Sequence, residues 1–582
     1  MSVKLAETAG FCMGVKRAVD MVLELAQHKG QETIYTYGPL IHNPQTVELL
    51  RKRGIVPIAA IEEIPAGTKV AGIIIRAHGI SPQDRKLLRE KNLKIIDATC
   101  PKVGRVQAII KKHAVRNYTI LIIGDAGHPE VNGLLGYTFG KGLLLGAVED
   151  VHRLPPLDKV CVVAQTTQSV DEYRRIVTAI QARFPDAVIF DTICDSTERR
   201  QSEVKSLAEE MDAMIIVGGR NSANTQRLAD LAALPGKPTF HVETSEELPV
   251  EQLAAYEKIG ISAGASTPNW IIDRVVDTVT TRQADKSRQI NTIFRFWVWS
   301  VRTDLYSALG AGCLAATAML FQELTLRFLY IAVASLYVYA MHTLNRFINR
   351  KTGSIIGSFR EESYRRHESK YLAAAILALV FALGAGLLSG RTAFLFLLAM
   401  STLGILYNAQ LAPSGWPFRS IRDLPGSKNI TVALAWAAIT AVLPPVAEKL
   451  PLTETTAVSF AFIFGIVFVR SVLSDLLGVQ SDKLVGKETI PVLIGNDHTQ
   501  QLLNMISLAL VMMLAAAPTL VRTVSLSYFL IIPVIYIWIC FRLYDKKPGL
   551  IGVVKEGVLE TAYIIAGLSS WVWYLIFGGK GL

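Results

Sequence analysis

From Phe294 onward the chain runs through long apolar stretches with few internal charges, and nothing before Arg288 is like them. A helix that crosses a bilayer needs about 20 apolar residues. Nine candidate spans meet that description, centred in 305–322, 326–344, 371–389, 392–408, 429–447, 456–473, 501–521, 526–542 and 558–577. The segment "NRFINRKTGSIIGSFREESYRRHESK" after the second holds seven Lys or Arg. Basic residues also follow spans four, six and eight, with Arg419, Arg422, Lys428, Lys483, Lys487, Lys546 and Lys547. Cytoplasmic loops carry such an excess, so the even loops and the amino terminus are expected in the cytoplasm. "MSVKLAETAG" has neither an apolar core nor a cleavage pattern, which agrees.

The chain therefore reads as two halves: a soluble domain over 1–282 and a transmembrane domain over 305–582. A joint over 283–304 lies between them. Its "RQADKSRQINTIFRFWVWSVR" mixes basic and aromatic residues, as suits a helix lying on a bilayer. The formal net charge is +11. Much of the excess lies beside the spans, so no nucleic-acid partner is expected; the bilayer is the partner that the sequence implies.

The soluble half alternates strand-like and helix-like runs, the pattern of an α/β fold with parallel sheets. Six cysteines (12, 100, 161, 194, 313, 540) are too few and too scattered for a disulfide framework. Three of them share a setting. "SVKLAETAGFC", "LKIIDATC" and "AVIFDTIC" each end an apolar run, and a helical pattern follows each. Asp97 and Asp191 both stand three residues before the cysteine. Ligands in such folds gather at the carboxyl ends of strands, where helix amino termini offer free N–H groups and stabilise a thiolate. Cys12, Cys100 and Cys194 are thus candidates to converge on one object. Burial as small hydrophobes is the alternative, and spacings of 88 and 94 residues match no compact metal motif. Cys161, inside "KVCVVAQTT", reads as core packing.

The other strand ends carry polar punctuation. His42 lies in "YGPLIHNPQ", His78 ends "IIIRAHGIS", and His128 and Glu130 end "LIIGDAGHPEVNG". Thr166 and Thr167 end "VVAQTTQS". Ser222 and Asn224 open a helix in "GGRNSANTQ", and Ser266 ends "ISAGAST". Any one of these has an ordinary structural use, such as a helix cap. Their shared position suits a small, highly charged anion such as a diphosphate.

"GFCMGVKRA", "IHN", "RAHG", "DATCP", "GHPEVNG", "QTT", "NSANT" and "AGAST" occur in this order over about residues 3 to 280. In this the chain resembles the LytB family of 4-hydroxy-3-methylbut-2-enyl diphosphate reductases. The resemblance implies an α/β trefoil of three strand–helix units and a 4Fe–4S cluster on Cys12, Cys100 and Cys194. It implies a substrate pocket of His42, His78 and His128, with Ser222, Asn224 and Ser266 on the diphosphate. Ala223 stands where some members have a second serine, which leaves its backbone N–H. Thr166 matches the threonine near the substrate hydroxyl and Glu130 the proton donor. A ferredoxin- or flavodoxin-like electron donor is implied as partner.

In the second half, nine spans with "LYNAQLAPSGWPFRSIRDLPGSKN" and "SDLLGVQSDKLVGKETIPVLIG" resemble the UbiA-type intramembrane prenyltransferases, as an all-α bundle. That family uses two acidic motifs to hold Mg²⁺ on a prenyl diphosphate. This chain departs from the pattern. Near "LNRFINRKTG", Asn345 and Asn349 are followed by Arg350 and Lys351, with no Asp; in the second motif Asp475 and Asp482 remain, while Gly478 and Gln480 fill positions often acidic. Asp475, Asp482 and Lys428 form the candidate Mg²⁺ and prenyl-diphosphate site. The leading expectation is a membrane-tethered reductase. The alternatives are a chain that is chiefly a prenyltransferase, and a reductase fused to a non-catalytic anchor.

Overall fold

The computed structural model describes residues 2–28, 32–65, 68–91, 94–286, 291–348, 367–407, 421, 424, 426–479, 482, 489–521, 523–544 and 552–577. The chain divides into two compact units, Met1–Lys286 and Ser287–Leu582.

The first unit runs β1 (Ser2–Leu5), α1 (Met13–His28), β2 (Thr33–Tyr37), α2 (Pro44–Lys52), β3 (Ile55–Ile58), β4 (Val70–Ile75), α3 (Pro82–Glu90), β5 (Ile95–Asp97) and α4 (Pro101–Ala114). It continues with β6 (Thr119–Ile123), α5 (Pro129–Gly136), β7 (Gly142–Leu145), α6 (Val148–His152), β8 (Val160–Ala164), α7 (Val170–Arg183), β9 (Val188–Ile189) and α8 (Asp195–Glu210). The last third holds β10 (Ala213–Val217), α9 (Ala223–Ala233), β11 (Thr239–Val242), α10 (Val250–Leu253), β12 (Lys258–Ala263) and α11 (Asn269–Lys286).

The strands form three parallel sheets of four, ordered β3-β2-β4-β5, β7-β6-β8-β9 and β11-β10-β12-β1. The three share one plan. The first and third strands of each unit pair at the centre, the second lies outside the first, and the fourth lies outside the third. In the last sheet the fourth place is taken by β1, whose Ser2–Leu5 pair with Lys258–Ile261. The central strands are continuous apolar runs because both faces are covered: Ile120 to Ile123, Val162 to Ala164 and Ala213 to Val217 are all fully buried. Cys161, inside β8, is fully buried too.

Each of the three similar cysteines follows a fourth strand. Those strands are short, only two residues in β9. The two shared aspartates explain why. Asp97 accepts the Thr99 N–H at 3.0 Å, and Asp191 accepts the Ile193 N–H at 3.1 Å. An aspartate that bonds the amide two residues on turns the chain. It breaks the strand and delivers the cysteine to the next helix.

The second unit is helical. Among the described residues, seven of its helices are long and apolar enough to cross a membrane: Phe328–Ile348, Glu368–Ser389, Ser427–Ala447, Glu454–Leu477, Asn496–Leu520, Leu526–Leu543 and Val553–Phe577. Thr292–Arg302 and Leu305–Phe321 pass together but bend by 84°, which makes eight if they are one span. Helix covers all nine expected positions, but a count of nine spans is not reached among the described residues. Arg391–Leu406 has only 16 residues, and Leu305–Phe321 only 17. At the bend, Asp304 has φ +60 and is wholly buried, and Arg346 grips both its carboxylate oxygens at 2.8 Å. In the helix Asn291–Arg302, Ile293, Phe296 and Trp299 are exposed, while Trp297 and Val301 lie against Gly557.

Candidate functional site

The common plan of the three sheets carries chemistry-bearing residues to equivalent places. The first strands β2, β6 and β10 end at Tyr37, Ile123 and Val217; five residues later stand His42, His128 and Ser222. The third strands β4, β8 and β12 end at Ile75, Ala164 and Ala263; three residues later stand His78, Thr167 and Ser266. The cysteines follow the fourth strands and precede α1, α4 and α8. Each donates its N–H to a carbonyl two residues past a third strand. Cys12 reaches Ala265 at 3.1 Å, Cys100 reaches Ala77 at 2.9 Å, and Cys194 reaches Thr166 at 2.9 Å.

Side chains tie these three positions into a ring. Arg17, on α1, donates to the Thr99 carbonyl beside Cys100 at 2.9 Å. Lys102, on α4, pairs with Asp195, the residue after Cys194, at 2.9 Å. Arg200, on α8, donates to the carbonyls of Thr8 (3.0 Å) and Gly10 (2.8 Å), just before Cys12. Gly14 has no room for a side chain: a Cβ there would lie 2.6 Å from the Cys100 sulfur. The Cys100 thiol is within electrostatic reach of both other thiols. A lowered Cys100 pKa is not what results. Burial pushes the thiol up, the N–H groups of Lys102 and Val103 pull it down, and the two other sulfurs push it up again.

The three histidines form one cluster. Ring centroids lie 4.7 Å apart for His42–His78, 5.5 Å for His78–His128 and 5.9 Å for His42–His128. Burial lowers the pKa of all three, that of His128 to about 4; repulsion from neighbouring rings adds to it at His78 and His128, and Arg76 adds to it at each. His42 Nε2, His78 Nδ1 and Asn224 Nδ2 are buried and have no hydrogen-bond partner among the described residues. Ser222 caps α9 and accepts from the Thr225 N–H at 3.4 Å, Ala223 opens that helix, and Ser266 donates to the His42 carbonyl at 3.1 Å. Neutral imidazoles, hydroxyls, an amide and a helix amino terminus make a donor-rich set, which is what an anion needs.

Glu130 is 2% exposed. Its Oε1 accepts the Thr166 N–H at 2.7 Å, and its Oε2 accepts the Thr166 hydroxyl at 2.9 Å. Burial raises its pKa to about 7 against the pull of those bonds, and Asp125 adds to the rise. Sequence reasoning overlooked the groups around this pair. Arg227, on α9, pairs with Asp125 at 2.8 Å and donates to the Thr167 carbonyl. Gln165 accepts the Asp125 N–H at 2.9 Å. Arg200 and Arg227 look like ordinary helix charges in the sequence, and only the fold turns them inward.

The model of the LytB protein family matches residues 3–280. The 4-hydroxy-3-methylbut-2-enyl diphosphate reductase of Geobacter sp. (strain M21) is 43% identical over 286 residues, 49% of this chain and 99% of that protein. The chain belongs to the LytB family. The LytB relative of Geobacter sulfurreducens is 42% identical over 279 residues, 48% of this chain and 97% of that one. A solved LytB structure, (E)-4-hydroxy-3-methyl-but-2-enyl diphosphate reductase, is 41% identical with a TM-score of 0.38, over 48% of this chain and 99% of that one. Beyond the LytB part, the model of the UbiA prenyltransferase family matches residues 304–549. A UbiA homolog from Archaeoglobus fulgidus, solved with DMAPP and Mg²⁺, is 15% identical with a TM-score of 0.32, over 46% of this chain and 98% of that one.

In the second unit, Lys428 Nζ lies 2.7 Å from Asp475 Oδ1. Asn429 Nδ2 donates to Asp475 Oδ2 at 2.9 Å and to Ser471 Oγ at 3.1 Å. Asp482 is within electrostatic reach of the same ammonium. Asn349, Arg350, Lys351, Arg419, Arg422, Gln480, Lys483, Lys487, Lys546 and Lys547 lie outside the described residues.

Proposed function

We propose that the first unit reduces (E)-4-hydroxy-3-methylbut-2-enyl diphosphate to isopentenyl and dimethylallyl diphosphate. The observation that carries this reading is the pairing of a protonatable, buried Glu130 with Thr166, whose carbonyl holds the Cys194 amide. Two electrons and two protons enter, the C–O bond breaks, and water leaves.

Cys12, Cys100 and Cys194 fit a 4Fe–4S cluster. They are three soft donors at equivalent strand ends, Cys100 within electrostatic reach of the other two, beside a helix turn kept bare at Gly14. When bound, such a cluster would supply one-electron transfers and Lewis acidity towards the substrate hydroxyl. The rest falls to the chain. Glu130, with a pKa of about 7, is protonated in part at neutral pH and is aimed by two bonds at Thr166. The Thr166 hydroxyl both accepts and donates, so it relays that proton towards the leaving oxygen. His42, His78 and His128 with Ser222, Asn224, Ser266 and the Ala223 N–H receive the diphosphate. Electrons come from a ferredoxin- or flavodoxin-like donor.

The second unit is a membrane tether in this reading, with the first unit on the cytoplasmic side, as the basic loops imply. The residues present do not fit Mg²⁺, because the Lys428 ammonium, 2.7 Å from Asp475 Oδ1, would repel a dication placed on that carboxylate. No prenyl-transfer step is drawn there, and this favours the anchor over the prenyltransferase.

The test is an anaerobic assay of the full chain with a one-electron reductant and the hydroxylated substrate, after reconstitution with iron and sulfide. Conversion to both products, with a thiolate-to-iron absorption band, is the expected result. A protein that binds no iron, or binds it and leaves the substrate intact, would overturn the reading.

A further inference from the structure

Three carboxylates are buried in the second unit among the described residues: Asp304, Asp475 and Glu560. Each meets a base. Arg346 holds Asp304 through both oxygens, Arg470 pairs with Glu560, and Lys428 pairs with Asp475. A buried carboxylate must be neutralised or protonated, and here the chain supplies the neutralising charge itself.

The Asp475 pair matters most, because it lies where the UbiA-like pattern keeps an acidic motif. Magnesium demands about six oxygen donors in near-octahedral array and draws on one or two carboxylates. Both Asp475 oxygens are already engaged. Oδ1 takes the Lys428 ammonium, and Oδ2 takes the Asn429 amide, which is itself fixed to Ser471. An ammonium in contact with the carboxylate would also repel a dication placed on it. The same ammonium faces Asp482, the other carboxylate of the motif, while Arg470 is the further cation within its reach. Between Asp304 and Asp423 the sequence contains no aspartate, so no second aspartate motif answers this one.

We propose that Lys428 is the resident cation of this carboxylate site, a tethered charge in the place of a divalent metal ion. The inference is independent of the reductase reading. Its chemical consequence is specific. At this carboxylate a prenyl diphosphate meets an ammonium already shared with Asp475 in place of a dication that would carry the charge of a departing diphosphate. Binding remains open to such a site; assisted cleavage of the C–O bond does not.

The experiment is manganese binding by the full chain in lipid nanodiscs, read from the loss of the free Mn²⁺ EPR signal. Comparing variants within one protein cancels any Mn²⁺ held by the first unit. The wild type, Asp475→Asn and Lys428→Arg are expected to bind equal amounts. Lys428→Gln is expected to bind one further Mn²⁺ per chain, which Lys428→Gln with Asp475→Asn loses again. One more Mn²⁺ in the wild type than in Asp475→Asn overturns the proposal, and so does a folded Lys428→Gln that gains none. Should Lys428→Gln fail to fold, the comparison of wild type with Asp475→Asn decides alone.

Discussion

The Arg200 guanidinium, on the helix that follows Cys194, bonds the carbonyl of Gly10 at 2.8 Å, two residues ahead of Cys12. One buried side chain thus spans two of the three cysteine positions, and its fork also holds Thr8. Replacing Arg200 by Met strands the buried Gly10 carbonyl and the half-buried Thr8 carbonyl, and removes charge-assisted bonds. A loss of about 2–3 kcal/mol in stability is expected, together with reduced iron content. Lys keeps the charge but not the fork, so Arg200→Lys should recover only part of either. Denaturant unfolding and iron analysis on the same preparations check this.

Gly14→Ala separates folding from cofactor binding. Alanine favours the α1 helix by about 1 kcal/mol over glycine. Its Cβ, however, would lie 2.6 Å from the Cys100 sulfur. The sulfur must move. The variant should remain folded by circular dichroism, yet hold less iron and sulfide after anaerobic reconstitution.

Glu130 gives activity and stability a shared pH dependence. Its folded pKa of about 7 lies above the ordinary 4.5, so the folded state binds the proton more tightly than the unfolded chain does. That contribution is complete below about pH 4.5 and fades as pH rises through 7. Relative to Glu130→Gln, the wild type should lose up to about 3 kcal/mol over that range. Turnover should fall along the same limb as the protonated acid disappears. Glu130→Gln should keep its cluster, lose activity by about 10²-fold or more, and lack the limb. A pH–rate profile beside pH-dependent melts decides.

The histidine cluster predicts proton uptake on anion binding. Burial holds His42, His78 and His128 below the ordinary 6.5, so all three are neutral at pH 7. An anion among them raises each pKa, and protons follow it in. Titration calorimetry with inorganic diphosphate, in buffers of different ionisation enthalpy, should show uptake near pH 6 and little near pH 8. Without ligand the sign is the reverse. The unfolded chain binds the extra protons, so stability is lost as pH falls from about 6.5 towards the His128 value of about 4.

In the second unit, Asp304→Ala leaves the Arg346 guanidinium without the carboxylate that grips it at 2.8 Å. Breaking a buried pair from one side costs about 3–5 kcal/mol. Thermal unfolding in nanodiscs should show it, with the first unit's iron content unchanged.

The sequence displayed the strand ends well, because each signal was local: an apolar run, then glycine and a hydrogen-bonding residue. It displayed that Asp97 and Asp191 were alike, and the structure shows that both turn the chain. What it hid was assembled from distant pieces. Nothing near Ser2 reveals a partner at Lys258, and nothing near Arg227 points to Asp125. The span count suffered from the opposite difficulty. Apolar composition alone does not separate the longer helices from Arg391–Leu406, which has 16 described residues, or from Leu305–Phe321, which qualifies only together with the bent Thr292–Arg302. The ion pairs of the second unit were invisible as pairs, since Lys428 in the sequence is one more basic residue beside a span.

Because β1 completes the sheet that contains β12, a strand made early in this unit waits for one made late. Until Lys258–Ala263 have been synthesised, Ser2–Leu5 have no neighbour to zip against, and the Cys12 amide lacks the Ala265 carbonyl that anchors it. The thiol trio is therefore a product of closure: a nascent chain halted before that point holds two sulfurs in finished sheets and one adrift. An amino-terminal tag would weigh on this last seam, and iron uptake would register it first.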